Sequence, residues 1–378
     1  MNSISQFFQF LFDSYSGYFL LFWLTMVLAV IYVHHPFNHV KNLKSRVEIV
    51  LFCFFGLLLI MFAAMRPFGI ARDDLGTLHI FDGISPFFSS TTWIQGSRDW
   101  GWYFLMSLLK IFVNDFQAIL FVSAVTVFIQ LLLIFKMSRS PLLALIFFTS
   151  IFYQIFDLTT FRAGLAVTFF FVGFVFLVNG YLMIGPLFTI VSGFFHKQAL
   201  IAPLIFTGPW FRHHFFWLPF LVALPVGLIW LGQFPDLPNI LNDVKELTIP
   251  DFIVMDGIRE YLTVERSSVW RVAHPATYPL LILLIWLARD VYESDLRLYC
   301  YSAAALVFAA WFFWGFASLP APQLRFFDFF AFPLILIVGN CYCDRRRLVA
   351  ILLVSSIFII KNNVLHHLLT PFRWSDYC

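Results

Sequence analysis

The stretch "MRPFGIARDDLG", Met65 to Gly76, places two arginines and two adjacent aspartates directly behind the apolar run "IVLFCFFGLLLIMFAAM". Arg66 and Arg72 have two counterparts further along, Arg162 and Arg325, each beside the end of another apolar run. Guanidinium groups hold phosphate oxygens through paired, charge-assisted hydrogen bonds. Four of them at run ends predict a grip on a phosphate-bearing, lipid-like anion. The alternative for any one arginine is that it reaches up to phospholipid headgroups while its stem lies along apolar surface.

The elements that must position these arginines are membrane helices. Of 378 residues, 61% are hydrophobic and 12% charged, where a soluble domain carries roughly 25% charge. The mean hydropathy is +0.85. Apolar runs recur along the whole chain, and about twenty such residues cross a ~30 Å hydrocarbon core as a helix. Backbone groups in lipid must be bonded within their own segment, and the alternating pattern of a membrane barrel is missing. The chain reads as an all-α polytopic membrane protein. Spans are expected near 15–33, 47–65, 116–135, 141–157, 162–178, 181–196, 198–211, 214–231, 275–289, 297–317, 326–341 and 348–362, or about ten to twelve crossings. Two of them, 198–211 and 275–289, are short enough to be tilted, re-entrant or differently bounded.

Basic residues mark cytoplasmic loops. Clusters stand at Lys41, Lys44 and Arg46, at Lys136 and Arg139, at Arg212, at Arg289 and Arg297, and at Arg345, Arg346 and Arg347. All fall on one face if "DWGWYFLMSLLKIFV", Asp99 to Val113, lies in the interface or dips back instead of crossing. The outer face then collects residues 66–115, an outer loop carrying that interfacial or re-entrant helix. It also receives the turn "DLTTFR" (Asp157 to Arg162), "FFHKQ" around His196, the polar segment 232–274, and "SLPAPQLRFFD" (Ser318 to Asp328). The four arginines therefore lie outward against the topology rule, which makes them functional candidates. The net charge of +3 is scattered between spans, so no nucleic-acid face is expected. Cys341 and Cys343 form one metal-like pair where zinc wants two, so no metal is expected. The start "MNSISQFFQF" lacks the basic n-region of a cleaved signal, and the first span is expected to stay.

Five pieces, in this order and spacing, resemble the EpsG/Wzy group of membrane polysaccharide polymerases. "RPFGIARDD" is similar to its Arg-x-x-Gly…Asp element after the second span. "DWGWYFLMSLLKIF" resembles an acidic-Gly-aromatic element leading into a Leu-rich helix, and "DLTTFRAGLAVTFFFVGFVFL" an Arg-led, Ala-containing helix. "SGFFHKQALIAPLIF" resembles a Phe-His element and "RFFDFFAFPLIL" a late Arg-aromatic element. The resemblance implies a C-type glycosyltransferase-like, multi-span fold, one integral membrane domain over 1–378 with one long periplasmic loop, in a bacterial inner membrane. It implies that oligosaccharide repeat units carried on undecaprenyl diphosphate are joined at the periplasmic face, with lipid diphosphate as leaving group. The implied partners are that lipid-linked oligosaccharide, membrane lipids, and a chain-length regulator and flippase of the same pathway. Neither cofactor nor metal is expected. Charge grows on the leaving diphosphate in the transition state, where Arg66, Arg72, Arg162 and Arg325 would stabilise it.

The attacking hydroxyl needs a proton acceptor within hydrogen-bond reach. Asp73, Asp74, Asp99, Asp328 and His196 are the candidates. An imidazole titrates near neutral pH, and Asp74 and His196 rank first without being separable. The structural alternatives are specific: Asp73 or Asp74 in a salt bridge to Arg72 or Arg66, Asp328 paired with Arg325 one turn away, His196 as an interfacial hydrogen-bonding residue. Trp100, Trp102 and Trp270 could stack on sugar rings, or anchor the interface as aromatics at this depth often do. Segment 232–274 alternates charge with apolar residues and is expected to cover the outer face as a lid. The rival function is a transporter or flippase of the lipid-linked oligosaccharide. Transporters show internal repeats and charges near the midplane, whereas here the charges sit at span ends on one side.

Overall fold

A computed structural model describes residues 22–27, 46–66, 74–87, 99–113, 116–230, 277–315, 320–342 and 344–362. Every regular element among them is helical, as an all-α polytopic membrane protein requires. We label them α1 Arg46–Met65, α2 Asp74–Gly83, α3 Trp100–Leu109, α4 Gln117–Met137, α5 Pro141–Thr159, α6 Phe161–Val178, α7 Ile184–Phe195 and α8 Lys197–His213. After these come α9 Leu218–Trp230, α10 Thr277–Ser294, α11 Leu296–Gly315, α12 Pro320–Ala331, α13 Ile335–Asn340 and α14 Arg345–Ile360. Five of them, α1, α4, α5, α6 and α11, are long and apolar enough to cross a membrane.

Two long segments depart from α-helical winding, besides the single 3-10 turns Phe215–Trp217 and Phe332–Leu334. From Thr149 to Thr159, α5 is wound wider, with π-type turns. Helix α8 is wound tighter along its 17 residues and carries Pro203 and Pro209 inside. Tight winding explains how a segment that looked too short can run the length of the bundle. At ~2.0 Å per residue, 17 residues extend about 34 Å, more than the hydrocarbon core needs.

Antiparallel neighbours sort the polar residues to two ends. At one end Glu48 accepts hydrogen bonds from the Ser140 hydroxyl (3.1 Å) and the Leu142 amide (3.4 Å). There too Asn340 accepts from the Arg139 amide and donates to the Met137 carbonyl. Arg347 bridges Asp290 and Asp344 at 2.8 and 2.9 Å over the face of Trp286. These contacts bring the basic positions 46, 139, 289 and 345–347 to a common end, as the sequence predicts. The opposite end holds the C-termini of α1, α5 and α7, the N-termini of α4, α6 and α8, and both short helices α2 and α3. Between the ends lies an apolar core rich in phenylalanine, with Phe148, Phe152, Phe156 and Phe171 all set against Phe332.

Helices α2 and α3 hold ten residues each, too few to cross. They pack on a second apolar cluster, Phe81, Ile84, Trp102, Met106, Ile119 and Phe161 among its members. Lys110 closes this layer by donating to the carbonyls of Asp82 and Ile84 at the end of α2. Segment 99–113 is thus a short helix lying on one end of the bundle, and the expected lid at 232–274 falls outside the described residues.

Candidate functional site

Asp99 precedes α3 in the position where a carboxylate commonly caps its own helix. It does not do so here. Its Oδ2 accepts from Arg162 Nη1 at 2.7 Å, its Oδ1 accepts from the Lys197 amide at 3.1 Å, and His196 Nδ1 lies 3.6 Å from Oδ1. Three distant segments therefore meet on one carboxylate. Local sequence makes the meeting feasible. Gly101 lets α3 settle against the end of α7, since a Cβ there would lie 3.0 Å from the Phe194 carbonyl oxygen. His196 has an extended backbone that ends α7 and turns its ring toward Asp99. Lys197 opens α8, so its amide is one of the unsatisfied donors at a helix start, and an anion is favoured there.

Arg162 stands in the first turn of α6. That helix begins at a tight corner, because a Cβ on Gly164 would collide with the Phe156 carbonyl of α5. Phe169 stacks on Phe195 at 4.7 Å and fixes α6 to α7 just below the site. Burial raises the Asp99 carboxyl, but the imidazole of His196, the guanidinium of Arg162 and the Lys197 amide together lower it further. Asp99 ends below the usual carboxylate range and is an anion at neutral pH. It is suited to orienting an imidazole and a guanidinium rather than to taking a proton. The Arg162 side chain is 35% exposed, with one N–H group engaged by Asp99.

The first-ranked aspartate lies elsewhere. Both oxygens of Asp74 accept from the two Nη atoms of Arg66 at 2.6 Å. Arg66 Nη2 also donates to the Leu158 carbonyl at 3.0 Å. Its guanidinium carbon sits 5.3 Å from the ring centre of Phe161 and 5.6 Å from that of Phe116. Both side chains are buried. Of the alternatives the sequence offered, the salt bridge of Asp74 to Arg66 is the arrangement found. As placed, Arg66 has no face open to a diphosphate and Asp74 has no oxygen open to a hydroxyl.

Asp328 is buried in α12, and the cation facing it is Lys361, after α14, rather than the half-buried Arg325. Trp100 is half exposed beside Asp99, whereas Trp102 is 1% exposed inside the second cluster. A sealed indole offers no ring face to a sugar, so Trp102 is a packing residue. Arg72, Asp73 and Trp270 lie outside the described residues. No group of three or more His, Cys, Asp or Glu side chains that could hold a metal occurs among the described residues.

A family model described as the EpsG family matches residues 49–377. The chain belongs to the EpsG family. That family is one of Wzy-type and exopolysaccharide polymerases, so the protein is a membrane polysaccharide polymerase with glycosyltransferase-like activity. No curated protein and no solved structure matches the chain.

The EpsG-family match spans all the elements that meet at Asp99. Spacing could have revealed none of these meetings, since the carboxylate contacts residues 63 and 98 positions away. No motif announces the Lys197 amide, or Lys361 as the cation facing Asp328. Asp157, read as part of an outward turn, is buried within α5.

Proposed function

We propose that this polymerase joins lipid-diphosphate-linked oligosaccharide repeat units at the outer, periplasmic face of a bacterial inner membrane, with the Asp99–Arg162–His196 cluster as its reaction site. The observation that carries this reading is a guanidinium tethered by one contact to a buried, ionised aspartate, with a histidine on that same carboxylate. Asp99 facing Nδ1 sets His196 to accept a proton at Nε2, the division of labour found wherever a carboxylate orients a basic imidazole. The 3.6 Å separation is slightly longer than a hydrogen bond, and catalytic contacts commonly tighten when substrate arrives.

A hydroxyl of the acceptor unit attacks the anomeric carbon of the donor chain, and its proton passes to His196. The bond from that carbon to the diphosphate oxygen breaks, and the electron pair leaves with the lipid diphosphate. Arg162 faces this growing charge, which is where a fixed donor lowers a barrier most. Trp100, half exposed next to Asp99, suits a sugar face. The outward placement rests on the basic residues gathered at the other end of the bundle.

Purified protein in detergent should lengthen chains from lipid-linked repeat units alone, with excess chelator and neither nucleotide nor ion gradient, polymer length being read on a gel. Movement of the lipid-linked unit across a vesicle bilayer without polymer would replace this reading with transport. Sidedness is checked by an impermeant thiol reagent. On a cysteine-free background, a cysteine at Gly83 should react from the periplasmic side, and one at Met183, 87% exposed at the other end, should not.

A further inference from the structure

Among the described residues, the outer half of α5 is short of one positive charge. Arg66, Asp74 and Asp157 are each at most 1% exposed. Two carboxylates and one guanidinium leave one negative charge, in a place where an uncompensated ion is costly. Arg66 is closed on Asp74 and reaches α5 only through the Leu158 carbonyl. Asp157 has no cationic side chain within 4 Å among the described residues.

Asp157 faces hydroxyl and amide groups of α4. Its Oδ2 has no hydrogen-bond partner. Its Oδ1 lies 3.3 Å from the Thr126 hydroxyl, but that hydroxyl's single proton has a closer acceptor in the Ser123 carbonyl at 2.7 Å. The Gln130 amide lies beside the carboxylate. Its Nε2 donates to Thr168 at 2.7 Å, and its Oε1 has no partner. Thr168 in turn gives its proton to the Gly164 carbonyl, which fixes the direction of the chain. Asp157 is thus met by neutral hydroxyl and amide groups alone, with Oδ2 and Gln130 Oε1 left without a partner and no cation among the described residues beside them. The wide π-type winding of this part of α5, frequent at functional sites, aims the carboxylate at α4.

Charged groups on the elements packed around it are committed elsewhere. Arg162, at the start of α6, holds Asp99. Lys361, beyond α14, faces Asp328, while its neighbour Asn362 donates to the Ser150 and Ile151 carbonyls at the far end of the same winding. On α4 the facing residues are Ser123, Thr126 and Gln130, all uncharged.

We propose that Asp157, Thr126 and Gln130 form a buried site that takes up one positive charge, as a proton or as a small monovalent cation such as sodium. Either ligand supplies the missing positive charge. A proton on Asp157 would cancel its charge in place, and a sodium ion would draw on the carboxylate, hydroxyl and amide oxygens together. Filling the site braces the corner that runs through Leu158 to Arg162. The site does not depend on the reaction assigned to Asp99 and Arg162, and its test needs no activity.

The test is thermal melting and infrared spectroscopy of the purified chain. A ligand bound by the folded site and not by the unfolded chain raises the melting temperature with its concentration. Melting is followed in sodium chloride against choline chloride at equal ionic strength, and across pH at zero sodium. If sodium is the ligand, melting rises by several degrees with sodium and not with choline. If the proton is the ligand, sodium has no effect and a protonated-carboxyl band is present at neutral pH. Asp157→Asn, which carries its own donor and no charge, should remove that band or that sodium response while leaving a folded protein. Thr126→Val should weaken the sodium response. No sodium response together with no protonated-carboxyl band in the wild type overturns the proposal, whether or not the variants fold. A response or band that survives unchanged in folded Asp157→Asn overturns it as well.

Discussion

Two arginine–aspartate pairs stand at the same end of this bundle and are built in opposite ways. Arg66 and Asp74 meet fork to fork, with both carboxylate oxygens taken, two phenyl rings alongside and a main-chain carbonyl as third anchor. Arg162 and Asp99 share a single contact, and the rest of the carboxylate is given to a helix-starting amide and a histidine. The first pair is sealed. The second leaves its guanidinium 35% exposed. Residue type and motif are alike in the two, so neither distinguishes a joint from a reaction site. Unused hydrogen-bonding capacity at a surface does.

The largest effect should come from breaking the sealed pair. Arg66→Ala or Asp74→Ala strands a buried charge, a loss of about 3–5 kcal/mol, seen as a collapse of folded yield and melting temperature. Arg66→Lys should not rescue, because one ammonium cannot replace the planar fork. Normal melting of Arg66→Ala would dissolve the contrast between the pairs.

Arg162→Ala should act on rate instead, lowering chain lengthening by about 10²–10³ while stability changes by about 1 kcal/mol or less, as for partly exposed ion pairs. A fall in melting as steep as that of Arg66→Ala would make the second pair a joint too. Trp100→Ala sharpens the comparison from the substrate side. Losing one aromatic contact, about 0.5–1.5 kcal/mol, should raise KM by a few-fold with little change in kcat or melting.

The smallest effect concerns pH. The Asp99 carboxyl is held below its ordinary value of 3.8. Its ionised form therefore contributes stability that is complete above that value and is lost only as pH falls through the lower, folded value. Between about pH 5 and 8 it adds no slope. The stability that the Asp99 anion adds over Asp99→Asn should therefore be lost only in strong acid, where the two melting curves converge. Convergence already near pH 5 would mean that the Asp99 carboxyl is not held below its ordinary range.

Most helices were legible because apolar runs state their own length. Readings of 47–65 and 162–178 fall within a residue of α1 and α6. Winding was not legible. The segment 198–211 looked too short because 1.5 Å per residue was assumed, and α8 rises faster. The sequence "DLTTF" looked like a turn since it carries a charge and two hydroxyl residues. Its hydroxyls in fact bond back to carbonyls, Thr159 and Thr160 both to Ile155, and Asp157 is received by α4 some thirty positions earlier. Arg66, Asp74, Asp99, Arg162 and His196 were each visible as charged or titratable groups at span ends. Their division into a sealed pair and an open cluster depends on packing between segments, which no spacing rule encodes.

In the proposed reaction the open cluster, and not the sealed pair, does the chemistry. Chain lengthening, normalised to folded protein, separates the two when Arg162→Ala is set against the double variant Arg66→Met with Asp74→Leu. Replacing both members of a buried ion pair by apolar residues is tolerated far better than removing one, so the double variant should yield folded protein. The double variant should stay within about tenfold of wild type, and Arg162→Ala should fall by about 10²–10³. A folded double variant without activity, beside an active Arg162→Ala, would move the reaction to the sealed pair.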